Sequence, residues 1–300
     1  MAQDNYGKGS IVYKILIVLL TAALVFSIYY PKKLWEEEAR NTEVSHYRMS
    51  NIYNAALQYH RFHHQYTDSL EELIQFIKTD SSYHAYVDSM FSGPLDEVTA
   101  EFDSIKQVQI ELDGFLQTIS PLDTVAQDSL ANRISEITYY VRRLRDKMQV
   151  IKDQLKAHPY APTQTLDKAR EVVERKDFFL QYEIIKNMIA QNKLQKALAA
   201  SNKIRNNYET IIGYLRQTKA QLSNIFTLAD SMYVCPTTRK PYKVTVIDTS
   251  AIKVFIVESP ITREDSLAVA RSFLKSTVGA LKLKNHGRIE NGVTSWESAN

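Results

Sequence analysis

The chain has a single cysteine, Cys235, which excludes an internal disulfide and a multi-cysteine metal site. Glycine is also scarce: eight residues in 300, against about 7% in an average chain. Only Gly93, Gly114 and Gly213 lie between Ser10 and Val278, so the long middle of the chain favours extended helices. The stretch Gly7-Lys8-Gly9-Ser10 has neither the length nor the preceding strand of a phosphate-binding loop. No block of lysine and arginine reaches five residues, and the net charge is +3. A nucleic-acid footprint is therefore missing. What the chain does have is apolar surface: 44% of its residues, enough for a substantial core in one or two domains.

Residues 11–30 read IVYKILIVLLTAALVFSIYY, twenty positions broken only by Lys14. At ~1.5 Å per residue a helix of this length spans ~30 Å, the hydrocarbon thickness of a bilayer. Lys14 stands a turn from the end, where its ammonium can snorkel to the headgroups. Tyr13, Tyr29, Tyr30 and Trp35 suit the two interfaces. A cleaved secretory signal fits less well, because the run is long and no small-x-small site follows. A buried core helix is the other alternative. Charge does not set the orientation: Lys8 and Lys14 lie on one side, and Lys32, Lys33 and Arg40 on the other, mixed with Glu36, Glu37 and Glu38.

Beyond Pro31 the apolar positions Val44, Tyr47, Ile52, Ala55, Ala56, Tyr59 and Phe62 recur every three or four residues, which predicts one helix continuing from the apolar run. A second helix starts after Asp68, which precedes Glu71 at capping-box spacing; Leu70, Leu73, Ile74 and Ile77 form its buried face. From Leu95 the spacing becomes heptad-like, with Val98, Phe102, Ile105, Leu112, Leu116 and Ile119, and with Gln109 in one core position. Ser120-Pro121-Leu122-Asp123 then stops and restarts a helix, with Ser120 as N-cap.

Next comes a seam without a miss. Leu130, Ile134, Ile137, Val141, Leu144, Met148, Ile151 and Leu155 alternate steps of four and three, as coiled coils do. The two prolines of residues 157–163, AHPYAPT, break it. A last long helix is expected from Thr165 to about Met232, with Leu194, Ala197, Ile204, Tyr208, Ile211, Leu215, Leu222, Ile225 and Ala229 near the same repeat. At ~1.5 Å per residue it reaches ~100 Å. Two packings fit this pattern: a long antiparallel coiled-coil hairpin with entry near Leu95 and exit near Met232, or a compact helical bundle.

The end of the chain differs. Residues 242–247 and 252–258 are β-branched runs that predict a hairpin across Asp248-Thr249-Ser250-Ala251. Residues 266–283 read as helical, and residues 284–300 as turn-rich. The fold class is thus mainly α with a small β element. The expected organisation is an N-terminal tail (1–10), a transmembrane helix (11–30), a stem with its following helix (31–94), a helical insertion (95–232) and a C-terminal β-hairpin plus helix (233–300).

Residues 9–78 resemble the N-terminal half of type II secretion pseudopilins and their type IV pilin relatives. Ala56-Leu57-x-Tyr59 and Tyr66-x-Asp68-Ser69-Leu70-x-x-Leu73 match much of their A-L-x-x-Y…Y-P-x-S-L-x-x-L signature, with Thr67 where the family has proline. Pro31 is twenty-second counting from Ser10, as in pilins. Residues 235–258 more weakly resemble the segment that opens the pseudopilin C-terminal sheet; the helical insertion has no counterpart. The resemblance implies a membrane helix continuing into a pilin-like stem, and prepilin-peptidase processing between Gly9 and Ser10. Two positions depart from it. The fifth mature residue would be Lys14 where the family has glutamate, and Ser10 replaces the usual Phe or Met.

Three groups of side chains could carry chemistry. Three of the seven histidines, His60, His63 and His64, fall within five residues. His60 and His64 at i, i+4 could pair on zinc, but no nearby carboxylate or cysteine offers an obvious third ligand, and the resemblance implies a polar turn there. Cys235 and His286 could be nucleophile and base, although nothing in the sequence sets their geometry. Glu36-Glu37-Glu38 reads as a solvated juxtamembrane face. No catalytic residue, cofactor or metal is therefore expected.

Two functions fit. One is a non-enzymatic, pseudopilin-like component of a bacterial secretion or pilus-type machine, single-pass in the inner membrane with its soluble part in the periplasm. The other is a bitopic coiled-coil scaffold or adaptor of the cell envelope that does not assemble into a filament. The expected partners are membrane lipid and other envelope or secretion-machine proteins, copies of itself included, and neither nucleic acid nor a small-molecule substrate.

Overall fold

The structure, a computed structural model, describes residues 11–118, 124–191, 193–249 and 253–297. Ile119, the expected cap Ser120 to Asp123, and residues 250–252 at the turn of the expected hairpin lie outside them. Helix α1 runs from Ile11–His63 through Pro31. It is followed by α2 (Leu70–Thr79), α3 (Ser81–Val87), a π-helical turn Asp88–Ser92, α4 (Gly93–Thr118) and α5 (Thr124–Leu155). Then come α6 (Thr163–Glu174), α7 (Lys176–Ala190), α8 (Leu194–Ala220) and the short α9 (Asn224–Thr227). Strands β1 (Lys243–Asp248) and β2 (Lys253–Glu258), helix α10 (Arg263–Arg271), a π-helical turn Phe273–Val278, and strands β3 (Arg288–Glu290) and β4 (Val293–Thr294) complete the described chain.

The contacts divide the chain into two units. One comprises residues 54–67 and 71–230, the other residues 11–53, 68–70 and 231–297. These boundaries differ from the expected ones at 94/95 and 232/233. Helices α2 and α3 belong with the later helices because Tyr83, Val87 and Phe91, all buried, join the aromatic cluster of that unit: Tyr83 stacks on His158, and Phe91 meets the same ring edge-on.

In the helical unit the seam from Leu130 to Leu155 is buried at all eight positions. The expected single helix from Thr165 to Met232 is not one helix. It breaks at Arg175, whose backbone is extended, and the chain reverses between Ala190 and Leu194. Tyr182 of α7 then reaches Tyr208 of α8 through their hydroxyls, and Thr165 of α6 donates to Gln221 at the far end of α8 (2.7 Å). Helix α8 also lies antiparallel to α4, through Lys106–Glu209 at 3.0 Å and Arg216–Asp103 at 2.9 Å. Lys147–Glu97 at 2.9 Å and Arg133–Glu111 at 3.7 Å set α5 antiparallel to α4, and Lys152–Asp167 followed by Arg142 over the Phe179 ring does the same for α5 against α6 and α7. The result is an up-down-up-down four-helix arrangement with α6 and α7 sharing one position, rather than two helices folded on one long one.

The break at Arg175 has a physical reason. Buried positions step from Leu166 through Ala169 to Val173, jump five to Phe178, then resume by fours and threes at Tyr182, Ile185 and Ile189. A continuous helix would carry the second stripe off the core at that jump; one extended residue restores it. Inside the bundle a polar chain crosses between α4 and α8: Gln109 donates to Ser201, Ser201 to Asp113, and Arg205 to Asp113 (3.2 Å). A buried group of this kind tolerates only the register that satisfies it.

In the second unit the four strands form one antiparallel sheet in the order β1-β2-β3-β4. Val244 pairs with Val257, and Val257 with Ile289. Phe255, Val257 and Ile289 point inward, and Phe255 meets Tyr53 of α1 at 6.3 Å between ring centres. The turn-rich tail therefore contains two strands. Asn291 and Gly292, with φ of 46° and 83°, make the tight connection that an Asn-Gly pair favours. The expected helix over 266–283 is shorter. It begins at Arg263, where Thr262 and Asp265 form a reciprocal cap, and it is no longer α-helical beyond Arg271.

Candidate functional site at the base of the apolar helix

From Tyr13 to Tyr29 every residue of α1 is exposed, with no packing partner among the described residues. Leu16, Val18, Leu20, Leu24 and Ile28 are each about half to two-thirds exposed. It is the one helix among the described residues long and apolar enough to cross a membrane. Below it one face turns inward, and Ser45, Met49, Ile52 and Ala56 are buried. Gly9 and Ser10 lie outside the described residues.

Glu38 extends that inward face by steps of four and three: 38, 42, 45, 49, 52. It is half-buried, while Glu36 and Glu37 are exposed. Its carboxylate accepts from His286 Nε2 at 3.0 Å and from Thr237 Oγ1 at 3.4 Å. Nδ1 of His286 is buried without a hydrogen-bond partner, and the fully buried thiol of Cys235 acts electrostatically on the ring. The sequence offered no geometry for Cys235 and His286; the fold brings them together and adds Glu38. The signal for Glu38 was present in its phase on the helix, hidden by two acidic neighbours. Arg48 donates to the Val234 carbonyl (2.6 Å) and Tyr242 to Ser45 (3.0 Å), so three segments of the unit converge on one stretch of α1.

Burial opposes charge on both members of the pair, yet each stabilises the other's ion. His286, desolvated but beside Cys235 and Glu38, is pushed up to about 9. Cys235, raised by burial, is pulled down to about 7 by His286 and by the Thr237 and Thr238 amides. The His286 contribution to stability is full below its unfolded pKa of about 6.5 and is lost as pH rises through about 9. The Cys235 contribution is full at alkaline pH and is lost as pH falls through about 7. Between about 7 and about 9 the gain from one group rises as that from the other falls, so the clamp holds across that range. The sulfur has no exposed surface, and the bonds from Thr237 and His286 to Glu38 hold the segments that flank the sheet to the stem. Glu38→Gln removes the charge that keeps His286 protonated. The thiolate titration of Cys235, followed by ultraviolet absorbance, is expected to move upward from about 7, and an unchanged titration would show that His286 does not couple the two groups.

Beside this clamp opens a cavity of about 540 Å³ whose lining includes Trp35, His46, Lys282, His286 and Trp296. Trp296 stacks flat on His46 (3.9 Å), which contacts the His286 carbonyl through Nε2 at 2.8 Å. Trp35 donates to the Gly279 carbonyl at 2.8 Å.

The three clustered histidines do not converge. His60 stacks on Tyr66 at 4.5 Å, His63 packs on Tyr59 at 4.3 Å, and His64 ends α1 in the left-handed region with φ of 58°. This is the geometry of a helix stop. No cluster of three or more potential metal ligands occurs among the described residues. Comparison with protein-family models, with curated proteins and with solved structures finds no match for this chain.

Proposed function

We propose that the chain is a single-pass, non-enzymatic component of a bacterial secretion or pilus-type machine, pseudopilin-like in its membrane helix and stem. In this reading it sits in the inner membrane with the chain after Pro31 in the periplasm, and acts through helix packing and contacts with other envelope or secretion-machine proteins, copies of itself included. One observation carries the proposal: an apolar helix with no packing partner runs without interruption into a stem whose inward face is covered by a small C-terminal sheet. A membrane is the solvent in which the first half of such a helix is stable.

Lys14 favours a second reading. In a filament the fifth mature position of one subunit would meet a neighbour's terminal amine, and a lysine there repels it. A bitopic scaffold or adaptor that stays in the bilayer avoids that contact. The mature N-terminus, read by mass spectrometry of protein from native membranes, separates the two: a chain beginning at Ser10 supports the pseudopilin-like role, and one keeping residues 1–9 supports the scaffold. Both readings place the body outside the cytoplasm. Alkaline phosphatase fused after Asn300 is expected to be active in a bacterial host; activity only from a cytoplasmic reporter at that position would overturn both.

A further inference from the structure

Helix α10 and the π-helical turn after it bury none of their residues. Leu267, Phe273 and Leu274 are 43%, 68% and 51% exposed. Adjacent large apolar side chains on an exposed turn are unfavourable in water, and such a patch marks a contact.

The position of the segment identifies what it contacts. At its start Asp265 holds Lys240 at 2.7 Å, close in the chain to Cys235 and the Glu38 clamp. At its end Gly279 accepts from Trp35, and its backbone lies so close to Leu34 that an added Cβ would come within 2.7 Å of Leu34 Cδ2. The segment therefore runs along the stem toward the apolar helix. Leu34 is four residues past Tyr30, about 6 Å at ~1.5 Å per residue. The headgroup layer on each side of a bilayer is about 5–7 Å deep. With residues 11–30 in the hydrocarbon, Leu34 and Gly279 lie at headgroup level, and Phe273 and Leu274 are only a turn or two of chain away. Arg271 and Lys275 flank those two side chains and are exposed, as are Lys32 and Lys33 on the stem. Apolar tips bordered by cations are the chemistry of an interfacial anchor.

We infer that the turn Phe273–Val278 is a second membrane contact. Phe273 and Leu274 insert at the headgroup–acyl boundary of the bilayer that residues 11–30 cross, and Arg271 and Lys275 meet lipid phosphates. The inference rests on the membrane-spanning reading of α1.

The test uses the full chain in phosphatidylcholine–phosphatidylglycerol nanodiscs, with an environment-sensitive fluorophore on Phe273→Cys, Leu20→Cys or Val293→Cys. The unsubstituted chain measures any background from buried Cys235. Val293 is exposed and adjoins Gly292, which lies against Tyr53, far down the stem. Lipid with a nitroxide on the upper acyl chain is expected to quench most of the emission at position 273, and lipid with a deep nitroxide that at position 20; position 293 responds to neither. Quenching at 20 with a response at 273 no greater than at 293 overturns the second contact and leaves the spanning helix intact. Absence of quenching at 20 removes the spanning reading and the inference with it.

Discussion

Ile137→Asp is expected to melt the helical unit and leave the sheet-containing unit folded. Ile137 sits mid-seam on α5 and is 4% exposed. Truncating a buried residue of this size costs about 2–5 kcal/mol, and a carboxylate left there without a partner adds a desolvation penalty of several kcal/mol. A domain has only about 5–15 kcal/mol of stability in total. Residues 54–67 and 71–230 make a unit of 174 residues. For that size a loss of about 4 kcal/mol lowers Tm by roughly 8–16 °C. Differential scanning calorimetry of the chain should show one transition moving down or vanishing, while a second, carried by Phe255, Val257 and Ile289, stays in place. Ser135→Asp, two residues earlier and on the exposed face, is expected to change little. If Ile137→Asp shifts both transitions together, the two units fold as one.

The same division changes where the chain can be cut. The sequence suggests removing residues 95–232, but that cut strands α2 and α3. Tyr83 would lose His158 and Phe226, its partners at 3.0 Å through the hydroxyl and 6.1 Å between rings. It would also delete Met232, which is fully buried in the other unit. Boundaries at Tyr53/Asn54 and Asp230/Ser231 keep the helical core whole and take only residues 68–70 from the other unit.

These differences show which information is local. The seam from Leu130 to Leu155 was legible because a heptad stripe depends only on spacing, and all eight positions are buried. The reversal between Ala190 and Leu194 was not, because no glycine or proline marks it: a short polar stretch turns the chain, and the energy that holds the turn is the distant packing of α7 on α8. The break at Arg175 was readable only as a five-residue step in the stripe, easily taken for a gap. Strands β3 and β4 are three and two residues long, too short to show alternation, and only Asn291-Gly292 announced them. The clamp was the least legible feature. Glu38, Cys235 and His286 are separated by about 200 and 50 positions of chain, and only the folded sheet brings them to one point.

A second large effect is expected from acid. His158 lies in the loop between α5 and α6 and is 3% exposed, its Nδ1 at 3.0 Å from the Tyr83 hydroxyl. The rings of Tyr86 and Phe91 are 5.9 and 5.0 Å away. Asn54 donates to the Lys156 carbonyl at 3.1 Å and Gln58 to the Ala157 carbonyl at 2.8 Å, so the loop cannot swing out to hydrate the imidazole without breaking both bonds. Burial first, and then the Arg61 guanidinium, pull the His158 pKa down to about 4. The unfolded chain, with a pKa of about 6.5, takes up a proton where the folded one does not. Stability from this residue is therefore complete above about pH 6.5 and is lost as pH falls toward about 4. The linkage amounts to about 2 kcal/mol by pH 5 and about 3 kcal/mol at its limit. Urea unfolding followed by circular dichroism between pH 7 and pH 5 should show that fall in the helical transition. His158→Gln, neutral throughout, is expected to start less stable and to lose the slope. A wild-type transition that does not move over this range would mean that His158 is protonated in the folded chain, and that the loop opens to water where the structure has it closed.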